Sequence, residues 1–162
     1  MHKIGLGYDI HRLAAGRKLF LGGIDVPSGA GLLGHSDGDA LIHAVIDAIL
    51  GALGEGDIGA LFPDTDPRYE GVRSADLLEA IMGFVRARGA EIVNVDSIIV
   101  AEEPKMGPHI PAMKAALSPV LGIPPSAIGI KAKTNEGLGP IGEKRAIACT
   151  AVVLLKLPDQ SD

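Results

Sequence analysis

A chain with a single cysteine, Cys149, forms no internal disulfide, so its stability has to come from packing. Ala148 and Ala151 beside that thiol mark it as an ordinary core residue. Tryptophan is absent and aromatic residues make up 3%, which leaves little for nucleic-acid bases to stack on. Positive charge is not in excess either. A formal net charge of −5 lacks the electrostatic footprint of a DNA or RNA binder, so no nucleic-acid partner is expected. No apolar run approaches the roughly 18 residues a membrane span needs. No apolar leader opens the chain, so no membrane partner is expected and a cytoplasmic location is the default. Internal repeats and low-complexity linkers are missing too. Hydrophobic residues, at 47% of 162, suffice for one domain with a real core, and residues 1–162 read as that single domain.

What is present begins with Asp9, His11 and His43, three side chains of zinc-binding type. Asp9 and His11 stand two apart in a stretch that reads as a strand, Lys3 to Leu13, with Gly5, Gly7, Asp9 and His11 on one face. The other face carries Ile4, Leu6, Tyr8 and Ile10, which reads as the core side, while the glycines leave open space beside the ligands. His43 comes from a helix. Three protein ligands with one position open is the pattern of catalytic zinc, whereas a structural site closes with four.

Elements alternate along the rest of the chain. Lys18 to Ile24 reads as a short strand, followed by a turn at Pro27, Ser28 and Gly29. Ser36 reads as the N-cap of a helix running to about Leu53, with Asp39 imitating a capping box and Ile42, Val45, Ile46, Ile49 and Leu53 as its buried stripe. Gly54 to Arg73 is too long for a simple connection and reads as a functional loop. Ser74 reads as the cap of a second helix ending at Gly89, with Leu77, Leu78, Ile81, Met82 and Val85 inward. Ile92 to Ala101 is a strand, Pro111 opens a third helix, and Ile128 to Thr134 and Arg145 to Leu157 are the last strands. This order predicts an α/β (α+β) sandwich, a mixed sheet with helices on one face. The final strand is apolar on both faces, which predicts burial against another subunit or a central place in a larger sheet, and favours the first.

Several phrases then fall together. Gly7-Tyr8-Asp9-Ile10-His11, His35-Ser36-Asp37-Gly38-Asp39 with His43, Gly56-Asp57-Ile58-Gly59, and Phe62-Pro63-Asp64-Thr65-Asp66 occur in that order. Pro104-Lys105-Met106, Lys131-Ala132-Lys133-Thr134-Asn135-Glu136 and Ile147-Ala148 follow. From Lys3 to Leu157 the chain resembles the 2-C-methyl-D-erythritol 2,4-cyclodiphosphate synthase family of the non-mevalonate isoprenoid route, without room for the cytidylyltransferase of the family's two-enzyme fusions. The resemblance implies a phosphorus–oxygen lyase. In that reaction the 2-phosphate of 4-diphosphocytidyl-2-C-methyl-D-erythritol 2-phosphate attacks the β-phosphorus of its own diphosphate, and CMP leaves. Both reacting groups belong to one molecule, so no protein nucleophile is required.

By the same resemblance Asp9, His11 and His43 hold Zn²⁺, and Glu136 binds a second cation, Mg²⁺ or Mn²⁺. His35 and Thr134 position phosphates and stabilise the transition state, and Ser36 adds a hydroxyl and backbone N–H groups to the 2-phosphate. Asp57, Ile58 and Gly59 match the segment that contacts the sugars, and Phe62, Pro63, Asp64, Thr65 and Asp66 the wall beside methylerythritol. Ala101, Pro104, Lys105, Met106 and Gly107 match the cytidine pocket, completed by Ala132 and Lys133. The family's assembly is a homotrimer, sheets packed about a threefold axis and active sites between subunits.

Some residues keep two readings. Asp57, Asp64 and Asp66 also suit turns, and Lys105 a solvated loop. Asp39 and Asp47 flank His43 at helical spacing, either as a solvated face or with Asp47 accepting the free N–H of His43. One stretch departs from the family: Pro140 stands where an aromatic is usual and Glu143 where an arginine is. Relatives line an axial cavity for isoprenoid diphosphates with this segment, and Glu143 would repel such a ligand unless Arg145 replaces the missing cation.

Overall fold

Small residues alternating with apolar ones build the strand around which everything else is arranged. The computed structural model describes residues 1–158. Strand β1 (His2–Ala15) is followed by three short strands, β2 (Leu19–Leu21), β3 (Ile24–Val26) and β4 (Ala30–Leu32). Helices α1 (Ala40–Leu53), α2 (Ile58–Leu61) and α3 (Ser74–Ala87) come next. Then follow β5 (Glu91–Val100), α4 (Ile110–Leu121), β6 (Ile128–Lys133), α5 (Gly139–Gly142) and β7 (Ala146–Lys156). The main sheet has the order β4-β1-β7-β5-β6. β7 runs antiparallel to both β1 and β5, while β5 and β6 are parallel, so the sheet is mixed as expected.

The faces of β1 are the reverse of the sequence reading. Gly5 and Gly7 face the core, and a Cβ at Gly5 would lie 1.7 Å from the Ala48 carbonyl oxygen of α1. The glycines therefore admit a helix backbone rather than leave space. Ile4 and Leu6, on the opposite face, are 71% and 66% exposed, and Tyr8 and Ile10 are exposed with them. Alternation fixes that the two faces differ. It does not say which face the chain itself covers.

α1 is buried on nearly every side, with Leu41, Ile42, Val45, Ile46, Ile49 and Leu50 all in the core. It packs on β1 and β7 and meets α3 beyond. Its N-cap is Asp39, not Ser36: the fully buried Asp39 carboxylate accepts from Ile42 N at 3.0 Å, and from Gly22 N and Gly23 N at 2.9 and 2.7 Å. Three N–H groups thus offset the cost of burying it, and one of its oxygens ties the β2–β3 turn to the helix start. That turn, at Gly22 and Gly23, splits the single strand expected at Lys18 to Ile24 into a hairpin. Ser74 is likewise no cap. It is the first residue of α3, preceded by Arg73 with no side-chain cap bond. The expected loop from Gly54 to Arg73 contains α2 and a single 3-10 turn at Pro67–Tyr69. Among the described residues no helix is long and apolar enough to cross a membrane.

Candidate metal centre and substrate cleft

The β1 register puts Asp9 and His11 on the face that α1 covers, and α1 supplies His43 from its first turn. Asp9 Oδ2 lies 2.9 Å from His11 Nε2 and 2.9 Å from His43 Nδ1. The two ring nitrogens are 3.2 Å apart. One ligand atom from each residue falls within 4.8 Å of the others, so the three can hold one metal ion. His11 Nδ1–H donates to the Leu33 carbonyl at 2.6 Å, which leaves Nε2 with its lone pair toward the centre.

Electrostatics agree with this placement. Burial pushes the Asp9 carboxyl up, but hydrogen bonds and charge from His11 and His43 outweigh it and hold Asp9 well below the usual carboxylate range. Burial likewise opposes charge on His11, and is outweighed by Asp9 and the Leu33 carbonyl, so His11 is raised above its ordinary value. A carboxylate kept ionised between two imidazoles is a donor set suited to a divalent cation.

The centre forms one wall of an open cavity of about 410 Å³. His35, Ser36, Ile58, Gly59, Phe62 and Asp64 line it, as the sequence reading placed them, and Gly34, Tyr69, Val72 and Leu77 join them. Phe62 and Tyr69 meet edge to face at 5.2 Å. Tyr69 and Val72 belong to the long loop already marked as functional. Leu77 reads in sequence as plain core. Asp57 and Asp66 are engaged as caps, accepting from Ala60 N and Arg68 N at 2.9 and 3.0 Å. Pro63 and Thr65 flank Asp64 without lining the cavity. His35 Nε2 lies 3.3 Å from the Asp66 carbonyl.

Of the two readings of Asp47, the one that pairs it with His43 is not realised. Asp47 accepts from Ile58 N at 2.8 Å instead, fastening α2 to α1. His43 Nε2 faces Ser74 Oγ at 2.9 Å and Ser36 Oγ at 3.1 Å. Ser36 Oγ also accepts from Gly38 N at 3.2 Å.

The remaining residues gather elsewhere. Ala101, Pro104, Lys105, Met106 and Gly107 follow β5, beside Ala132, Lys133, Thr134 and Glu136 at the end of β6, and Ala101 N donates to the Lys133 carbonyl at 2.9 Å. The Glu102 carboxylate accepts from Asn135 N and Gly137 N at 2.9 and 3.3 Å, holding the turn that presents Glu136. Thr134 Oγ donates to Glu136 at 3.1 Å. Met106 is buried, so its side chain anchors this loop from within. The register runs Asp9 to Cys149 to Ile99 to Ala132. Three strand spacings, about 14 Å, therefore separate the two groups across the sheet of one chain.

A family model described as the YgbB family matches residues 2–156. The 2-C-methyl-D-erythritol 2,4-cyclodiphosphate synthase of Gloeobacter violaceus is 54% identical over 95% of this chain and 94% of its own length. The bifunctional enzyme IspD/IspF of Desulforudis audaxviator is 53% identical over 94% of this chain and 39% of its own length. A solved 2C-methyl-D-erythritol-2,4-cyclodiphosphate synthase in a CDP-bound form superposes with a TM-score of 0.88 at 47% identity, covering 95% of this chain and 100% of that one. The CDP complex of Plasmodium falciparum IspF gives a TM-score of 0.85 at 39% identity, covering 98% of this chain and 97% of that one.

Proposed function

Because this chain belongs to the YgbB family, whose relatives here are named as cyclodiphosphate synthases, we propose that it converts 4-diphosphocytidyl-2-C-methyl-D-erythritol 2-phosphate to 2-C-methyl-D-erythritol 2,4-cyclodiphosphate and CMP. The observation that carries this reading is the convergence of Asp9, His11 and His43 on the wall of a cavity of about 410 Å³, within the usual range for small-molecule sites. These three residues hold Zn²⁺, and Glu136 binds the second cation, Mg²⁺ or Mn²⁺. When bound, such ions supply Lewis acidity and charge neutralisation to phosphate oxygens.

The chain's own residues fold and hold the substrate. The 2-phosphate oxygen bonds to the β-phosphorus while the bond to CMP breaks, and CMP carries away the electron pair. Because the substrate brings its own nucleophile, the protein contributes proximity and charge. His35 and Thr134 hold phosphate oxygens, with Ser36 offering its backbone N–H at the 2-phosphate. Asp57, Ile58 and Gly59 contact the sugars, and Phe62 to Asp66 wall in the methylerythritol. Ala101, Pro104, Lys105, Met106, Gly107, Ala132 and Lys133 bind cytidine, mostly through backbone groups, which suits a chain so poor in aromatics.

The β6 group lies about three strand spacings from the metal ligands, roughly 14 Å, so a site that uses both takes them from neighbouring subunits. A homotrimer packed through the exposed face of β1 supplies that arrangement. Incubation with the substrate, zinc and Mg²⁺, followed by phosphorus NMR, tests the proposal. CMP and the cyclic diphosphate are expected; linear phosphate products or unchanged substrate would contradict it.

A further inference from the structure

The His43 ring is held from behind by groups that no metal ligand explains. Its Nε2 lies 2.9 Å from Ser74 Oγ, and Ser74 is fully buried. Ser74 Oγ in turn contacts Asp37 Oδ1 in a short hydrogen bond. Both Asp37 oxygens already accept backbone N–H groups, Oδ1 from Asp39 at 3.2 Å and Oδ2 from Ser74 at 3.1 Å. Asp37 is therefore the acceptor, and the Ser74 hydroxyl has to donate to it. What Ser74 then presents to His43 is a lone pair, so Nε2 has to carry the proton. Ser36 Oγ, 3.1 Å from the same Nε2 and already accepting from Gly38 N, offers that proton a second acceptor.

We propose that Ser74 and Asp37 are positioning residues for the metal, forming a one-way hydrogen-bond chain from His43 Nε2–H through Ser74 O–H to the Asp37 carboxylate. The chain fixes the tautomer in which the Nδ1 lone pair points at Asp9 and His11. It thereby prepares the site before an ion arrives. This rests on the reading of Asp9, His11 and His43 as the metal site.

The placement is also stiff. Asp37 N donates to the Val72 carbonyl at 3.0 Å, and Gly71 N to the His35 carbonyl at 2.8 Å, so the start of α3 is laced to the loop before α1. This explains why the first residue of α3 is a serine whose hydroxyl does not cap its helix.

The test is zinc affinity by chelator competition, together with ¹H–¹⁵N spectra of the zinc-loaded protein. In the unaltered protein the His43 Nε2–H resonance is expected to be present and protected from water exchange. Ser74→Ala is expected to weaken zinc binding about 10- to 100-fold and to expose that proton to exchange. Ser74→Cys, nearly the same size but a weak acceptor, is expected to fall between, and serves if the alanine variant does not fold. Zinc affinity within about twofold of the unaltered protein in the folded variants, or a His43 Nε2 without a proton, would overturn the proposal. Failure of the unaltered protein to retain zinc would instead remove the metal site itself, and the proposal with it.

Discussion

Asp9 and His11 control each other's charge when no metal is bound, and the direction of each shift sets a pH dependence. Asp9 is held below its ordinary 3.8, so its contribution to stability is present above that value and is lost as pH falls through the lower folded one. His11 is raised above its ordinary 6.5, so its contribution is complete below 6.5 and is lost as pH rises through the folded value. Chelated protein should therefore lose stability to urea as pH climbs past 6.5, and Asp9→Asn should flatten that slope; an unchanged slope would contradict the pairing. His43→Ala should remove bound zinc and abolish turnover, and a full equivalent of zinc by metal analysis would refute its role as a ligand. Asp9 and His11 were legible as a pair because two-residue spacing sets strand side chains on one face, whereas His43, 32 residues from His11, joined them through the family resemblance of the phrases around it. Ser74 was not: its contact with His43 spans 31 residues and depends on how the intervening loop returns.

Close approach of α1 to β1 sets the distance between the two halves of the metal centre. A Cβ at Gly7 would lie 1.9 Å from the Ala44 carbonyl oxygen, in the residue beside His43. Gly7→Ala should push α1 away, cost about 1–3 kcal/mol or more, and weaken zinc binding with it. Gly83→Ala is the contrast. Gly83 sits inside α3 with nothing near its added Cβ, so this change should stabilise by about 0.5–1 kcal/mol. Urea titrations of both variants check the two signs, and a neutral Gly7→Ala would disprove the packing argument. Helices α1 and α3 were readable because their apolar residues recur at helical spacing. Their first residues were not, since Ser36 and Ser74 have the chemistry of caps but turn their oxygens toward His43. Three-residue strands such as β4 carry too few side chains to show a period.

At the scale of the whole molecule the exposed apolar face of β1 stands out, where Ile4, Leu6, Tyr8 and Ile10 lie in register with Leu154, Val152, Thr150 and Ala148 of β7. It is the face that the proposed trimer would bury. In the sequence the two-sided apolar character of the final strand left two readings, and the structure shows one of them, a central place in the sheet between β1 and β5. The inward role given there to Ile4 and its neighbours failed because alternation cannot tell a chain's own core from a partner's. Leu6→Glu should yield monomers by light scattering that still bind zinc but no longer turn over, and an active monomer would remove the need for a neighbour. The central claim is that the metal triad of one subunit and the β6 group of the next form one site. Reassembly of His43→Ala subunits with Thr134→Ala/Glu136→Ala subunits tests it most directly. Each variant alone should be inactive, whereas an equal mixture should leave one intact site in every mixed trimer and recover about a quarter of unaltered turnover. A mixture no more active than its two components would contradict the account.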